Sequence, residues 1–249
     1  MTDSLSHPHV RAFCVGQAKS GTSSLAGLLM KHHRAAHEPE RAQTLDLILR
    51  EARGELDESA MRVYLLERDQ QLGLAFDIAW ANQFLVGHLV RFFPDAKFIV
   101  LIRDCRSWLQ SFVGHLISRN VPADVIAFLD YWFRPDEYPV GSEDAKLGEL
   151  GLYSVRAFLA AWVRHITVCE HEIPDDRKLV VRSHELNTSH DRIASFLEIN
   201  PDSLDTTQGH RNRSTFDQSI DTIVDSNYVR SVMEELCMPH MQLWFPEFL

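Results

Sequence analysis

FCVGQAKSGTSSL, the stretch from Phe13 to Leu25, joins an apolar strand, a Gly/Ser/Thr-rich turn with one lysine, and the start of a helix. A tight turn at a helix N-terminus directs several backbone N–H groups at one point, where the helix dipole also favours negative charge. Gly16 and Gly21 let the backbone approach a ligand closely, and Lys19 supplies a cation. The stretch therefore predicts an anion-binding loop that cradles phosphate.

The position of the lysine distinguishes this loop from a Walker A loop. In the Walker pattern G-x-x-x-x-G-K-[ST] the lysine follows the second glycine, whereas Lys19 lies two residues before Gly21. The spacing therefore disfavours an ordinary ATPase loop. The alternative interpretation is a plain strand-to-helix turn with a surface lysine.

A second segment, KFIVLIRDCRSWLQSF from Lys97 to Phe112, predicts a buried strand that ends at Arg103 and a helix after it. Ser107 and Ser111 share one face of that helix. An arginine at the carboxyl end of a strand and a serine about two turns into the next helix can converge on one phosphate. The alternative is that Arg103 forms only a surface ion pair with the next residue, Asp104.

Together the two segments resemble the cofactor segments of the sulfotransferases that use 3'-phosphoadenosine 5'-phosphosulfate (PAPS). The loop is similar to their 5'-phosphosulfate loop, K-[ST]-G-T-[ST], and Arg103 with Ser111 resembles their 3'-phosphate segment. RKLVVRSHELNTSHDRIASFLEI, Arg177 to Ile199, resembles their late strand and helix, and the likeness spans residues 11 to 215. The pattern is closer to bacterial and carbohydrate-type members than to animal cytosolic ones.

The resemblance implies which residues bind the donor, PAPS. They are Gln17, Ala18, Lys19, Ser20, Gly21, Thr22, Ser23, Arg103 and Ser111, with Arg211 or Arg213 in GHRNRST as a clamp on the 3'-phosphate or as part of a plain basic loop. Lys19 would stabilise the charge on the departing phosphate oxygen, helped by loop N–H groups and Thr22, and no metal is expected. Leu25 and Ser183 replace a tryptophan and a tyrosine that contact adenine in relatives.

Three side chains compete for the role of the base that takes the acceptor's proton. Glu38 in HEPER stands where bacterial and heparan-type relatives have a K-E-P-like stretch with their catalytic glutamate, and His37 replaces the lysine of that stretch. Asp77 stands where those relatives carry a substrate-contacting acid, so it is expected to orient the acceptor or to be the base itself. Glu38 is the first choice, and a solvated carboxylate is the alternative for both acids. The predicted catalytic residues are thus Lys19, Glu38 and Asp77.

Alternating strand and helix patterns predict an α/β, P-loop-like three-layer fold in which helices cover both faces of a central parallel sheet. Strands are predicted at Arg11 to Val15, Leu74 to Ala79, Phe98 to Arg103 and Lys178 to Arg182, with two helices after the last. The first helix is predicted to end around His37. Arg134 to Gly151, rich in Pro, Gly and charge, is predicted to be a mobile loop near the acceptor site or a plain surface insertion.

Length and composition predict one domain over residues 1–249, with a flexible N-terminus at 1–10. With 45% hydrophobic and 24% charged residues, the 249-residue chain can bury a sizeable core. Its net charge of −10 argues against nucleic acid and heparin-like polyanions as partners. No apolar run is long enough for a membrane span and no signal-peptide pattern is present, so a cytoplasmic protein is expected. Cys14, Cys105, Cys169 and Cys237 lack metal or disulfide spacing and predict reduced core thiols.

Three functions follow from these residues. The preferred one is a PAPS-dependent sulfotransferase that acts on a hydroxyl or amine of a small metabolite or glycoside. The second is a P-loop kinase of small molecules, against which the displaced Lys19 and the missing strand with a magnesium-holding aspartate both count. The third is a module that binds nucleotides without catalysis. The acceptor and the oligomeric state do not follow from the sequence.

Overall fold

Five short segments form one parallel sheet in the computed structural model, which describes residues 9–118, 123–208 and 219–249. The strands are β1 (Ala12–Gly16), β2 (Ala35–His37), β3 (Phe76–Ile78), β4 (Lys97–Ile102) and β5 (Lys178–Arg182). Their order across the sheet is β2-β3-β1-β4-β5, and every neighbouring pair is parallel. The two arginines predicted to clamp the 3'-phosphate, Arg211 and Arg213, lie outside the described residues.

Helices fill most of the chain between and after the strands. They are α1 (Thr22–Leu29), α2 (Arg41–Ala52), α3 (Glu58–Leu72), α4 (Val86–Phe92), α5 (Cys105–Ser118), α6 (Ala123–Phe133), α7 (Ala145–Glu149), α8 (Val155–Glu172), α9 (His190–Leu197), α10 (Ser226–Leu236) and α11 (Met238–Trp244). Local signals fix several ends: Asp57 caps α3 at the Ala60 N–H (2.8 Å), and Ser154 caps α8 at the Ala157 N–H (3.0 Å). Among the described residues, no helix has the length and apolar character needed to cross a bilayer.

Successive residues of β1 enter two different cores, one on each face of the sheet. Phe13 and Val15 belong to a core that helices α2 to α6 and α8 cover. Ala12 and Cys14 belong to a second core, which α1 and α9 cover. This arrangement confirms the predicted α/β fold with three layers and a central parallel sheet. It also explains why β1 and β4 are almost continuous apolar runs, since both of their faces are buried.

The prediction that the first helix runs to about His37 is wrong. Helix α1 ends at Leu29, and residues 35–37 form the edge strand β2, in register with residues 76–78 of β3. Ala35 and Ala36 are strong helix formers, but pairing with β3 overrides that local preference. The correction matters because it places His37 at the carboxyl end of a strand.

The segment 134–151 is neither a plain loop nor detached from the core. It contains α7, and its Asp144 is buried, with its carboxylate accepting hydrogen bonds from the Val155 N–H (2.9 Å) and the Tyr228 hydroxyl (3.0 Å). These contacts tie the segment to α8 and α10. After β5 the chain forms α9, α10 and α11, whereas two helices were predicted.

All four cysteines are buried and form no disulfides. Burial raises the pKa of the Cys14 thiol, and it raises the pKa of Cys169 to about 12. Both groups therefore stay protonated at neutral pH. The prediction of reduced core thiols is confirmed.

Candidate active site

The carboxyl ends of the five parallel strands share one edge of the sheet, and most predicted site residues gather there. β1 is central, with β3 and β2 on one side and β4 and β5 on the other. Open parallel sheets bind ligands at the point where the strand order changes direction in this way. The loop 17–20 leaves β1 at that point, Glu38 follows β2, and Arg103 follows β4.

The backbone makes a sharp turn after β1, and Gly16 and Gly21 allow this turn. A Cβ on Gly16 would lie 2.7 Å from Leu101 Cβ and 2.8 Å from Ser20 Oγ, so no larger residue fits there. Gly21 has a φ of 112°, which favours glycine, and Lys19 has a φ of 73°, which is costly for a lysine. Strained backbone of this kind concentrates at functional sites, where the surrounding structure holds it in place.

The carbonyl oxygens of four consecutive loop residues are held by side-chain donors from around the site. The pairs are Gln17 O with Ser20 Oγ (2.6 Å), Ala18 O with Trp108 Nε1 (3.0 Å), Lys19 O with Arg103 Nη1 (3.1 Å), and Ser20 O with Ser183 Oγ. Gln17 is itself fixed because its Nε2 donates to Ala161 O in α8 at 3.1 Å. The loop is therefore held by α5, α8 and the turns after β4 and β5.

These contacts orient the opposite side of the loop toward an anion. Across a trans peptide, the C=O of one residue and the N–H of the next point in opposite directions. Holding the carbonyls against the protein turns the N–H groups of Ala18, Lys19 and Gly21 the other way, while the Ser20 N–H closes the turn on Gln17 O at 3.0 Å. Helix α1 starts directly after Gly21, and its positive dipole end adds to the effect. The loop fits a phosphate or sulfate group.

Arg103 connects the two segments that the sequence singled out. Its Nη1 donates a hydrogen bond to Lys19 O, and its Nε donates one to Ser107 Oγ at 2.8 Å. Burial lowers the pKa of Arg103, an effect that Asp104 partly offsets, and arginine remains protonated at neutral pH in either case. Ser111 is buried one helical turn beyond Ser107 on the same face of α5. That Arg103 and Ser111 share a phosphate stays a prediction.

Glu38 lies beside the start of α1. Its N–H donates to Ile78 O at 2.9 Å, which extends the pairing of β2 with β3 by one step. Its carboxylate is one-fifth exposed, with Oε2 3.1 Å from Arg41 Nη1 and Oε1 3.7 Å from His37 Nε2. The φ of Glu38 is 52°, a second strained position at this edge of the sheet. The carboxylate is thus accessible, and its direction is set by neighbours.

His37 bridges Glu38 and the anion loop. Its Nε2 is 3.3 Å from both Thr22 Oγ1 and Ser23 Oγ, at the N-terminus of α1. Burial lowers the pKa of His37, Arg41 lowers it further, and Glu38 opposes both. The net pKa lies below the ordinary value of 6.5, so the imidazole is mainly neutral at pH 7.

Asp77 lies in the interior, away from the accessible groups. Its side chain is 0% exposed, Arg68 Nη1 donates to its Oδ2 at 2.5 Å, and Asn82 Nδ2 donates to its Oδ1 at 3.3 Å. Burial lowers the pKa of Arg68, but the charge and hydrogen bond of Asp77, together with Tyr64 and Glu40, outweigh that effect and the pKa is raised. A carboxylate in this position is not open to an acceptor, so the geometry favours Glu38 over Asp77 as the base.

The structure brings the loop, Arg103, His37 and Glu38 to one edge of the sheet, and it leaves Asp77 behind that edge. Sequence reasoning missed the groups that hold the site: Arg68, Asn82, Trp108 and Trp162. Trp162 Nε1, for example, donates to Arg103 O at 2.8 Å from 59 residues along the chain. No local pattern signals contacts of such long range.

Comparison with known proteins identifies the family. Residues 11–208 match a family model described as a sulfotransferase domain. A sulfotransferase from Alicyclobacillus acidocaldarius matches the structure with a TM-score of 0.50 at 15% identity, covering 92% of each chain. The sulfotransferase STF9 from Mycobacterium avium matches with a TM-score of 0.53 at 14% identity, covering 96% of this chain and 78% of that one.

At these identities the solved structures show a shared fold. No curated protein that we compared with the chain matches it significantly. The family model, in contrast, covers most of the chain, including the loop, Glu38 and Arg103. The chain belongs to the sulfotransferase family.

Proposed function

We propose that this sulfotransferase moves the sulfuryl group of PAPS to a hydroxyl or amine of a small metabolite or glycoside. The observation that carries the proposal is the loop 17–20, whose four carbonyls are held by side-chain donors directly before the start of α1. When bound, PAPS would supply the sulfuryl group and a phosphate leaving group. The protein has to bind that phosphate, align the acceptor and remove a proton.

Lys19 and the loop N–H groups are suited to the phosphate that leaves. Negative charge grows on the bridging oxygen as the bond to sulfur breaks, and preorganised donors stabilise that charge most strongly. Thr22 lies in the first turn of α1, and its hydroxyl is proposed to bind oxygens of the same phosphate. Arg103 and Ser111 would bind the 3'-phosphate, far from the reacting sulfur, and so fix the position of the nucleotide.

Glu38 is the proposed base. Its carboxylate is accessible, and Arg41 and His37 contact its two oxygens at 3.1 and 3.7 Å. Because the pKa of His37 is lowered, the imidazole adds little positive charge that would weaken the carboxylate as a base. The contacts of His37 with Glu38 and with Thr22 and Ser23 at the start of α1 support this role, because in-line transfer requires the base close to the donor.

The nucleotide preference is tested by thermal unfolding with adenosine 3',5'-bisphosphate (PAP) against ATP plus magnesium. A ligand that binds only the folded state stabilises it by about 2.7 kcal/mol at roughly 100 times its Kd. For a chain of this size we expect PAP to raise Tm by roughly 5–10 °C at that concentration. A larger shift with ATP and magnesium would contradict the proposal and favour a kinase.

Replacing Lys19 by alanine separates an enzyme from a simple nucleotide-binding module. We expect kcat for sulfuryl transfer from labelled PAPS to fall roughly 10²- to 10³-fold, the cost of losing one preorganised donor. PAP affinity should fall by less than about 10-fold, because the loop N–H groups and Arg103 remain. The matched control is Lys31→Ala, at an exposed lysine beyond the other end of α1. A loss of PAP affinity with unchanged kcat would show that Lys19 only binds the nucleotide.

A further inference from the structure

The buried arginine of α3 lies directly beneath the loop that carries Glu38. Arg68 is 7% exposed. Besides its bond to Asp77, its Nη2 donates to Pro39 O at 3.0 Å, and its Nε lies 3.4 Å from Glu40 Oε2. One guanidinium therefore contacts both residues that follow Glu38.

Asp77 and Asn82 fix that guanidinium to the centre of the sheet. Asp77 is in β3, and Asn82 Nδ2, which donates to Asp77, also donates to Cys14 O in β1 at 3.2 Å. β1 leads directly into the donor loop. A continuous set of contacts thus joins the strand before Lys19 to the loop that contains Glu38.

The backbone around Glu38 needs such support. Glu38 and Glu40 both have a φ of 52°, which non-glycine residues rarely adopt. Strained backbone persists only where its surroundings hold it. The Glu38 N–H is held by Ile78 O, and the Glu40 carbonyl begins α2 by accepting from the Thr44 N–H at 3.0 Å. Between them, the carbonyl of Pro39 has Arg68 as its donor.

We propose that Arg68, held by Asp77, is a positioning residue that sets the direction of the Glu38 carboxylate toward the donor loop. This inference rests on the proposed function, in which Glu38 is the base. The Arg68 and Asp77 side chains are too deeply buried to meet an acceptor, and an ion pair in such a place contributes little net stability compared with packed apolar groups. The specific contribution of Arg68 is the fixed, forked geometry of its guanidinium.

The test is a double-mutant cycle between Arg68→Lys and Glu38→Gln, measured as kcat with labelled PAPS and as PAP affinity. Lysine keeps a charge beside Asp77 but loses the fork that reaches Pro39. We expect Arg68→Lys alone to lower kcat roughly 10- to 100-fold, the effect of misplacing a catalytic group by about 1 Å. In the Glu38→Gln background the same substitution should change kcat by less than about 3-fold, because the group it positions is already absent.

A second variant covers the case in which Arg68→Lys does not fold. Glu40→Gln weakens the contact at Arg68 Nε and leaves the pair with Asp77 intact. We expect a smaller loss of kcat that also disappears in the Glu38→Gln background. Arg62→Lys, at an exposed arginine of the same helix, is the matched control and should leave kcat unchanged.

The outcomes distinguish this inference from the proposed function. If the wild-type protein transfers sulfuryl groups and the losses of kcat from Arg68→Lys and Glu38→Gln multiply, the two residues act independently and the inference is wrong. The same holds if PAP affinity falls as much as kcat. If the wild-type protein transfers no sulfuryl group to any acceptor offered, the proposed function itself fails.

Discussion

Replacing Glu38 by glutamine is expected to lower kcat for sulfuryl transfer roughly 10²- to 10⁴-fold, the range that a general base contributes. Glutamine keeps the size of the side chain and an oxygen that can accept from Arg41, but it cannot take a proton. PAP affinity and Tm should change little, because Glu38 makes only partly exposed ion pairs. The measurement is kcat at saturating PAPS for the variant and the wild-type protein.

The control for this prediction is Glu55→Gln, at an exposed carboxylate that pairs only weakly with Arg50 and Arg53 at 3.8 and 3.9 Å. It should retain wild-type kcat. Unchanged kcat in Glu38→Gln would contradict the assignment. A large loss of kcat in His37→Gln together with an active Glu38→Gln would assign the base to His37, whose Nε2 lies 3.3 Å from Thr22 Oγ1 and Ser23 Oγ at the start of α1.

The parts of the fold that sequence reasoning predicted are those with strong local patterns. β1 and β4 are buried on both faces, and each is an almost unbroken apolar run in the sequence. The loop after β1 is recognisable in the sequence by Gly16, Lys19 and Gly21. Its backbone conformation requires glycine at the first and the last of these positions. The position of Arg103 follows from the end of β4.

The parts that were missed depend on long-range contacts. β2 is three residues long, and its alanines favour a helix until β3 pairs with them. Asp77 lies within the strand β3, but its partner Arg68 is on α3, and their burial together depends on how α3 packs. The sequence pattern around a carboxylate in a strand is the same whether that carboxylate faces a substrate or a buried guanidinium. Only the packing of helix on sheet separates the two cases.

The buried pair of Asp77 and Arg68 is expected to have a large effect on stability. Replacing Asp77 by asparagine is expected to lower the free energy of unfolding by about 3–5 kcal/mol, because it removes the buried counter-charge of Arg68 and leaves that guanidinium with the more distant, partly exposed Glu40. Asp77 is 0% exposed, and the nearest other carboxylate contact of Arg68 is Glu40 at 3.4 Å. Urea unfolding of the two proteins measures the difference, and the exposed residue Asp46, replaced as Asp46→Asn, is the control.

The two acids should therefore respond in opposite ways. Glu38→Gln should leave the free energy of unfolding unchanged and lower kcat. Asp77→Asn should lower the free energy of unfolding, and any loss of kcat should arise through the displaced Arg68 and the loop that contains Glu38. If Asp77 were instead the base, its asparagine variant would unfold like the wild-type protein and lose roughly 10²-fold or more in kcat. Wild-type stability combined with that loss would return Asp77 to the catalytic role and remove Glu38 from it.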